Sequence, residues 1–154
     1  MNTYSAFIKN DTYREKYYDY ITKDIWIQIM KKNGCFIKYL KNQTYDLCII
    51  AIRTNVESLE YINEQYPDIC MEAIEKNALT IEFIKDQSYD LCLYAIEKDY
   101  RYLGKIRNQT DELCIKALRK NTQAINYVRN ITYDVFNVHI ELSTDIIHDM
   151  FHSL

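Results

Sequence analysis

A cysteine recurs every 22 residues, at Cys48, Cys70, Cys92 and Cys114, and the residues around it recur with it. The segments read TYDLC (44–48), YPDIC (66–70), SYDLC (88–92) and TDELC (110–114). The same register reaches upstream to TKDIW (22–26) and downstream to TYDVF (132–136), and a degenerate half-match covers residues 2–20. An internal repeat of this length is a structural unit that buries its apolar face only by stacking on its neighbours. With only two Gly and one Pro among 154 residues, the turns that a β-sandwich or barrel needs are missing, and the units read as helices.

The columns of the repeat give each unit its parts. Thr22, Thr44, Tyr66, Ser88, Thr110 and Thr132 form a mainly hydroxyl column that suits a helix N-cap. Pro67 follows Tyr66, where a proline can be the first helical residue. Asp24, Asp46, Asp68, Asp90, Glu112 and Asp134 stand two residues past the cap, at the positive end of the helix dipole. Leu47–Cys48 and Ala51–Ile52, with their equivalents, mark one broad apolar face. The first helix is expected to end at Asn33, Asn55, Asn77, Asp99 and Asn121, residues that tolerate the left-handed conformation. Lys32, Lys76, Lys98 and Lys120 precede that column and complement the negative helix end. A second, shorter helix is predicted from two apolar columns at i, i+3 spacing, Ile37 to Ile147 and Leu40 to Met150. A leucine-rich repeat of similar period would need an LxxLxLxxN run, and the sequence has none.

The predicted fold is therefore all-α: an α-solenoid of stacked 22-residue helix-turn-helix repeats, about six to seven helix pairs forming one domain over residues 1–154. Residues 1–21 are expected to be an N-terminal capping unit, 22–131 five regular repeats, and 132–154 a C-terminal capping unit.

The units TYDLCIIAIRTNVESLEYI, SYDLCLYAIEKDYRYLGKI and TDELCIKALRKNTQAINYV resemble the short helical repeats of domain of unknown function 4116, found in bacteria and in giant viruses of the mimivirus type. The resemblance covers roughly residues 22–150. It implies the helical repeat and a giant-virus origin, but no activity and no functional residues.

Catalytic and metal chemistry is not expected. Equivalent helices in a stack lie roughly 8–10 Å apart. A disulfide needs Cα atoms within about 7 Å, and zinc needs every thiolate about 2.3 Å from one ion. Trp26 and Phe136 fill the cysteine column in the end units, so the column wants bulk and its thiols are read as buried. Cys35 stands outside it. The Ala column (Ala51, Ala73, Ala95, Ala117) gives way to Ile29 and His139 at the ends, as terminal capping repeats would require. His148 and His152 are spaced i, i+4, but the run HDMFH lacks the HExxH pattern. Gly-rich phosphate loops and nucleophile motifs are absent. No cofactor and no enzyme activity are expected.

Charge is segregated. Residues 1–56 carry +4, 57–97 carry −8, 98–129 carry +5 and 130–154 carry −4. Lys98, Arg101, Lys105, Arg107, Lys116, Arg119, Lys120 and Arg129 form a candidate basic patch for phosphates or an acidic partner. Arg53, Glu75, Glu97 and Arg119 share a column without keeping one sign, which argues against a modular nucleic-acid code. Gln28, Ile50, Glu72, Tyr94, Lys116 and Val138 are expected to form the exposed stripe of the first helices. Ile50, Tyr94 and Val138 in it are the candidate protein-contact residues.

The favoured function is a non-enzymatic scaffold for an unidentified protein partner. Nucleic-acid binding through residues 98–129 and a self-assembling structural role, as a homo-oligomer, are the alternatives. The start of the chain does not read as a signal peptide, and no apolar run approaches the ~20 residues of a membrane span. The expected location is cytoplasmic: host cytoplasm, or the virion if the protein is viral.

Overall fold

The computed structural model describes residues 10–152, apart from the side chains of residues 13, 14 and 146–152. Among the described residues every regular element is helical. The chain divides into two compact units, 1–65 and 66–154.

The first unit contains α1 (Asp11–Tyr17), the short 3-10 turn η1 (Tyr18–Tyr20), α2 (Lys23–Lys32), η2 (Gly34–Tyr39), α3 (Tyr45–Thr54) and η3 (Val56–Tyr61). Within it α2 packs on α3, and η2 on η3. The second unit contains α4 (Pro67–Lys76), η4 (Ala78–Phe83), α5 (Tyr89–Lys98), η5 (Tyr100–Lys105), α6 (Asp111–Lys120), η6 (Thr122–Tyr127) and α7 (Tyr133–His152). There α4 packs on α5, α5 on α6 and α6 on α7, while η4 meets η5 and η5 meets η6. In both units, then, like elements lie on like elements.

The caps follow the hydroxyl column except at Thr44, whose side chain makes no cap hydrogen bond, and Tyr66 makes none either. Thr22, Ser88 and Thr110 have extended ψ near 155–163° and accept from the backbone N–H three residues on. Pro67 opens α4 at its first turn. The four helices α3 to α6 then bury the four-residue pattern expected of them, such as Leu91, Cys92, Ala95 and Ile96 in α5, whereas α2 leaves Ile25 exposed and α7 leaves Phe136 and Ile140 exposed.

The predicted second helix is a 3-10 helix of six residues in each of five registers. Its period of three explains the i, i+3 apolar spacing, because residues three apart eclipse on one side of a 3-10 helix. Ile37, Leu40, Leu59, Ile62, Ile81, Ile84, Leu103 and Ile106 are all buried on that side.

The Asn/Asp column does not end helices in the left-handed conformation. Asn33, Asn55, Asn77, Asp99 and Asn121 are extended, with φ between −150° and −161°. Among the described residues none has positive φ. Their role is instead to start the 3-10 helix. Each side-chain oxygen accepts from the N–H two residues on, at 3.0 Å for Asn33, 2.9 Å for Asn55 and 2.8 Å for Asn121. The side chain thus caps the second element while the residue's own N–H closes the first, as Asn55 does on the Ala51 carbonyl at 2.8 Å.

A glutamine column, Gln43, Gln65, Gln87 and Gln109, supplies a tie that the motif reading passed over. Gln109 Nε2 donates to the Leu103 carbonyl at 2.7 Å and to the Tyr127 carbonyl at 3.0 Å, and Oε1 accepts from the Arg129 N–H at 2.9 Å. One amide thereby joins the ends of η5 and η6. Gln43 makes the same three bonds to Ile37, Tyr61 and Asn63, at 3.0, 2.9 and 2.8 Å. Gln87 repeats them with Ile81, Lys105 and Arg107. Gln65 donates to the Leu59 carbonyl at 2.8 Å.

The last register departs from the helix pair expected for residues 132–154. Here α7 runs unbroken for 20 residues. Position 143, where the other units have Asn or Asp, is Ser. Its hydroxyl donates to the His139 carbonyl at 2.7 Å, one turn back in the same helix, so the side chain that would start a 3-10 helix is engaged within the α-helix. Ile147, Met150, His148 and His152 have side chains outside the described set.

Candidate functional site

The exposed centre of each first helix is polar. At 100° per residue, the buried columns of α3 (Leu47, Cys48, Ala51, Ile52) leave Asp46 and Arg53 pointing outward, with Ile49 and Ile50 on the two shoulders. The stripe expected to be fully exposed is therefore a shoulder column. Ile50, Tyr94 and Val138 in it are half-buried. The opposite shoulder is apolar in five registers, Ile27, Ile49, Met71, Leu93 and Ile115. Met71 is exposed and the others are half-buried. The signal for this column was in the sequence, one residue past the cysteine, but it lay beside the stronger core pattern.

Tyr94 is committed in part. Its hydroxyl donates to Glu75 on α4, and the Lys98 ammonium lies 5.1 Å from its ring centre and 2.6 Å from Glu75. This cluster ties α5 to α4 across an exposed shoulder.

The basic patch is dispersed into similar ties. Lys105 pairs with Glu82 at 2.8 Å. Arg101 pairs with Asp99, and holds that carboxyl below its ordinary range by hydrogen bonding and charge. The Arg107 guanidinium donates to the carbonyls of Glu82, Ile84 and Lys85. Arg129 does the same for Arg107 and Gly104, at 3.1 and 2.8 Å. Lys120 donates to the Glu97 carbonyl. Only Lys116 and Arg119, both exposed on α6, carry no such contact among the described residues. A cleft of about 300 Å³ lined by Leu79, Asp99, Arg101, Tyr102 and Lys105 lies in this region. Its Arg and Lys already face Asp99 and Glu82, so its net field for an anion is small.

The cysteines of the column are buried thiols with no disulfide. Burial pushes Cys48, Cys70 and Cys92 up to about 11 and raises Cys114, so all four keep their protons at neutral pH and are poor nucleophiles. Cys35 is half-buried and also raised, first by burial and then by Glu57. Trp26 fills the column in α2 and is buried, whereas Phe136 fills it in α7 and is half exposed. Among the described residues no cluster of His, Cys, Asp or Glu is arranged to hold a metal ion. No helix among them is long and apolar enough to cross a membrane.

Comparison of the chain with protein-family models, with curated proteins and with solved structures gives no match.

Proposed function

We propose that the protein is an α-solenoid of stacked 22-residue repeats that acts as a non-enzymatic scaffold and binds a protein partner along the shoulders of its first helices. The observation that carries this reading is how the chemistry-bearing columns are spent. The acids stand at helix starts, the thiols are buried and protonated, the glutamines join neighbouring repeats, and most of the basic side chains of residues 98–129 bind carbonyls or carboxylates of the same unit. What remains open on the shoulders is apolar: half-buried Ile49 and Ile50 in the first unit, exposed Met71 and half-buried Leu93 and Ile115 in the second. Partly exposed aliphatic groups rimmed by charge are the ordinary anchors of protein contacts. The resemblance to the repeats of giant viruses extends the proposal to a viral protein working in the host cytoplasm or the virion.

The test is affinity capture from the native cell background with the wild type and with Ile50→Arg and Met71→Arg. Neither replacement enters a fully buried position. A partner bound through the shoulders is expected to be retained at least about tenfold less by either variant, the loss expected for one interface anchor. Equal retention by all three proteins would overturn the reading.

A further inference from the structure

The C-terminal helix leaves open the columns that every earlier repeat closes. In α5 and α6, Cys92, Ile96, Cys114 and Leu118 are only 1–2% exposed. Their counterparts on α7 are Phe136 at 50% and Ile140 at 45%. The other flank of α7 is closed: Val135 is completely buried, and the His139 Nδ1 is shielded without a hydrogen-bond partner. So α7 is packed on the side of α6 and bare on the side where a following repeat would lie. The glutamine column stops at the same place, with Ile131 standing exposed at 52%. A terminal cap needs a polar outer face, whereas the described part of this face carries Phe136 and Ile140.

The complementary half of such a contact is found on α2. The column of Leu47, Ile69, Leu91, Leu113 and Val135 is buried throughout, at 6% exposure or less, yet its member on α2, Ile25, is 46% exposed. We propose that α7 of one molecule receives α2 of a second molecule, head to tail, reproducing the helix-on-helix contact by which α5 meets α6 within the chain.

Charge selects this occupant over a pair of α7 helices. Residues 130–154 carry four acids and no Lys or Arg, so an α7-to-α7 contact sets acid against acid. By contrast α2 carries Lys31 and Lys32 in its last turn against Asp24, with Lys23 already paired to Asp46 at 3.2 Å, and residues 1–56 carry +4 in all. The chain already ties neighbouring repeats this way, through Lys98 to Glu75 at 2.6 Å and Lys105 to Glu82 at 2.8 Å. Glu141 on α7 stands in the Glu75 column and is exposed. The contact is a single helix on a single helix, at the small end of specific interfaces, so it is weak and concentration-dependent. It uses helix ends of the repeat series and not the shoulders, so partner binding and self-association can fail independently.

The test is sedimentation equilibrium of the full chain from roughly 10 µM to 1 mM, the range suited to a small interface. It is run on the wild type and on Phe136→Glu and Ile25→Glu, with circular dichroism to verify helix content. Both positions are solvent-exposed, so the fold should survive either change. The wild type is expected to grow in mass with concentration. Each variant alone should stay at the 18.5 kDa monomer. Their equimolar mixture should form a 1:1 dimer, because Ile25→Glu keeps a sound α7 and Phe136→Glu a sound α2. Pairing by Ile25→Glu alone would reveal an α7-to-α7 contact and overturn the proposal. So would a mixture that stays monomeric, or a wild type that never associates.

Discussion

Replacing Gln109 with Leu isolates the worth of one glutamine tie. The substitution keeps much of the side chain's volume, though it is one atom shorter, and removes two donated bonds, of 2.7 and 3.0 Å, and one accepted bond of 2.9 Å. The carbonyl of Leu103 keeps a second partner in the Ile106 N–H, at 3.1 Å. The Tyr127 carbonyl and the Arg129 N–H lose the bond that places them. At about 1 kcal/mol per net hydrogen bond, the loss is about 3 kcal/mol. For a chain of this size that lowers the melting temperature by about 6–12 °C. Urea unfolding followed by circular dichroism would measure it, and hydrogen exchange at the Arg129 amide would localise it. Gln109→Glu sharpens the test. It keeps the acceptor for Arg129 but sets an anion against two carbonyl oxygens, so it should cost at least as much at pH 7 and recover in part at acid pH, where the carboxyl is neutral. A loss below about 1 kcal/mol for Gln109→Leu, with unchanged protection at Arg129, would refute the idea that the column binds repeat to repeat.

Gly34→Ala should be strongly destabilising, by about 3 kcal/mol or more, because a Cβ there would lie 2.1 Å from the Ala51 carbonyl oxygen. Gly104→Ala is its control: the nearest atom is a ring carbon of Tyr127 at 3.2 Å, which can swing, and the cost should stay below about 1 kcal/mol in the same unfolding assay. Ser58→Ala should be neutral, or stabilising by up to about 1 kcal/mol, because the Ser58 hydroxyl is buried without a hydrogen bond. Ala124 already fills the same column, fully buried, and a clear loss of stability would refute this account. With a thiol reagent at neutral pH, Cys35 should react first, and the four column cysteines only at the rate of unfolding. Three of those thiols titrate near 11 when folded, against about 8.5 in an unfolded chain, so their contribution is complete below pH 8.5 and declines as the pH rises towards 11. Cys48→Ala, Cys70→Ala and Cys92→Ala combined should flatten that alkaline decline.

Some of this structure was legible one residue at a time. The hydroxyl column caps helices because a side-chain oxygen three residues before a bare N–H is a local geometry. The i, i+3 apolar columns were also legible as a second, shorter helix, and the structure gives that helix the 3-10 geometry to which a period of three belongs. The Asn/Asp column was placed correctly at the boundary and given the wrong conformation, because its side chain caps the element that follows. The glutamine column recurred as strictly as the cysteines, yet nothing local explains it: its partners lie 6, 18 and 20 residues away.

The amino-acid sequence by itself determined the period, the helical class and which face of each element is apolar, since these depend on capping, spacing and side-chain type within one turn. Only the tertiary structure decided which apolar faces are covered. Trp26 and Phe136 occupy one column and are 5% and 50% exposed. The physical reason is that burial belongs to a pair of surfaces. A repeat specifies its own half of each contact, and the other half covers Trp26 on α2 but leaves Phe136 on α7 exposed.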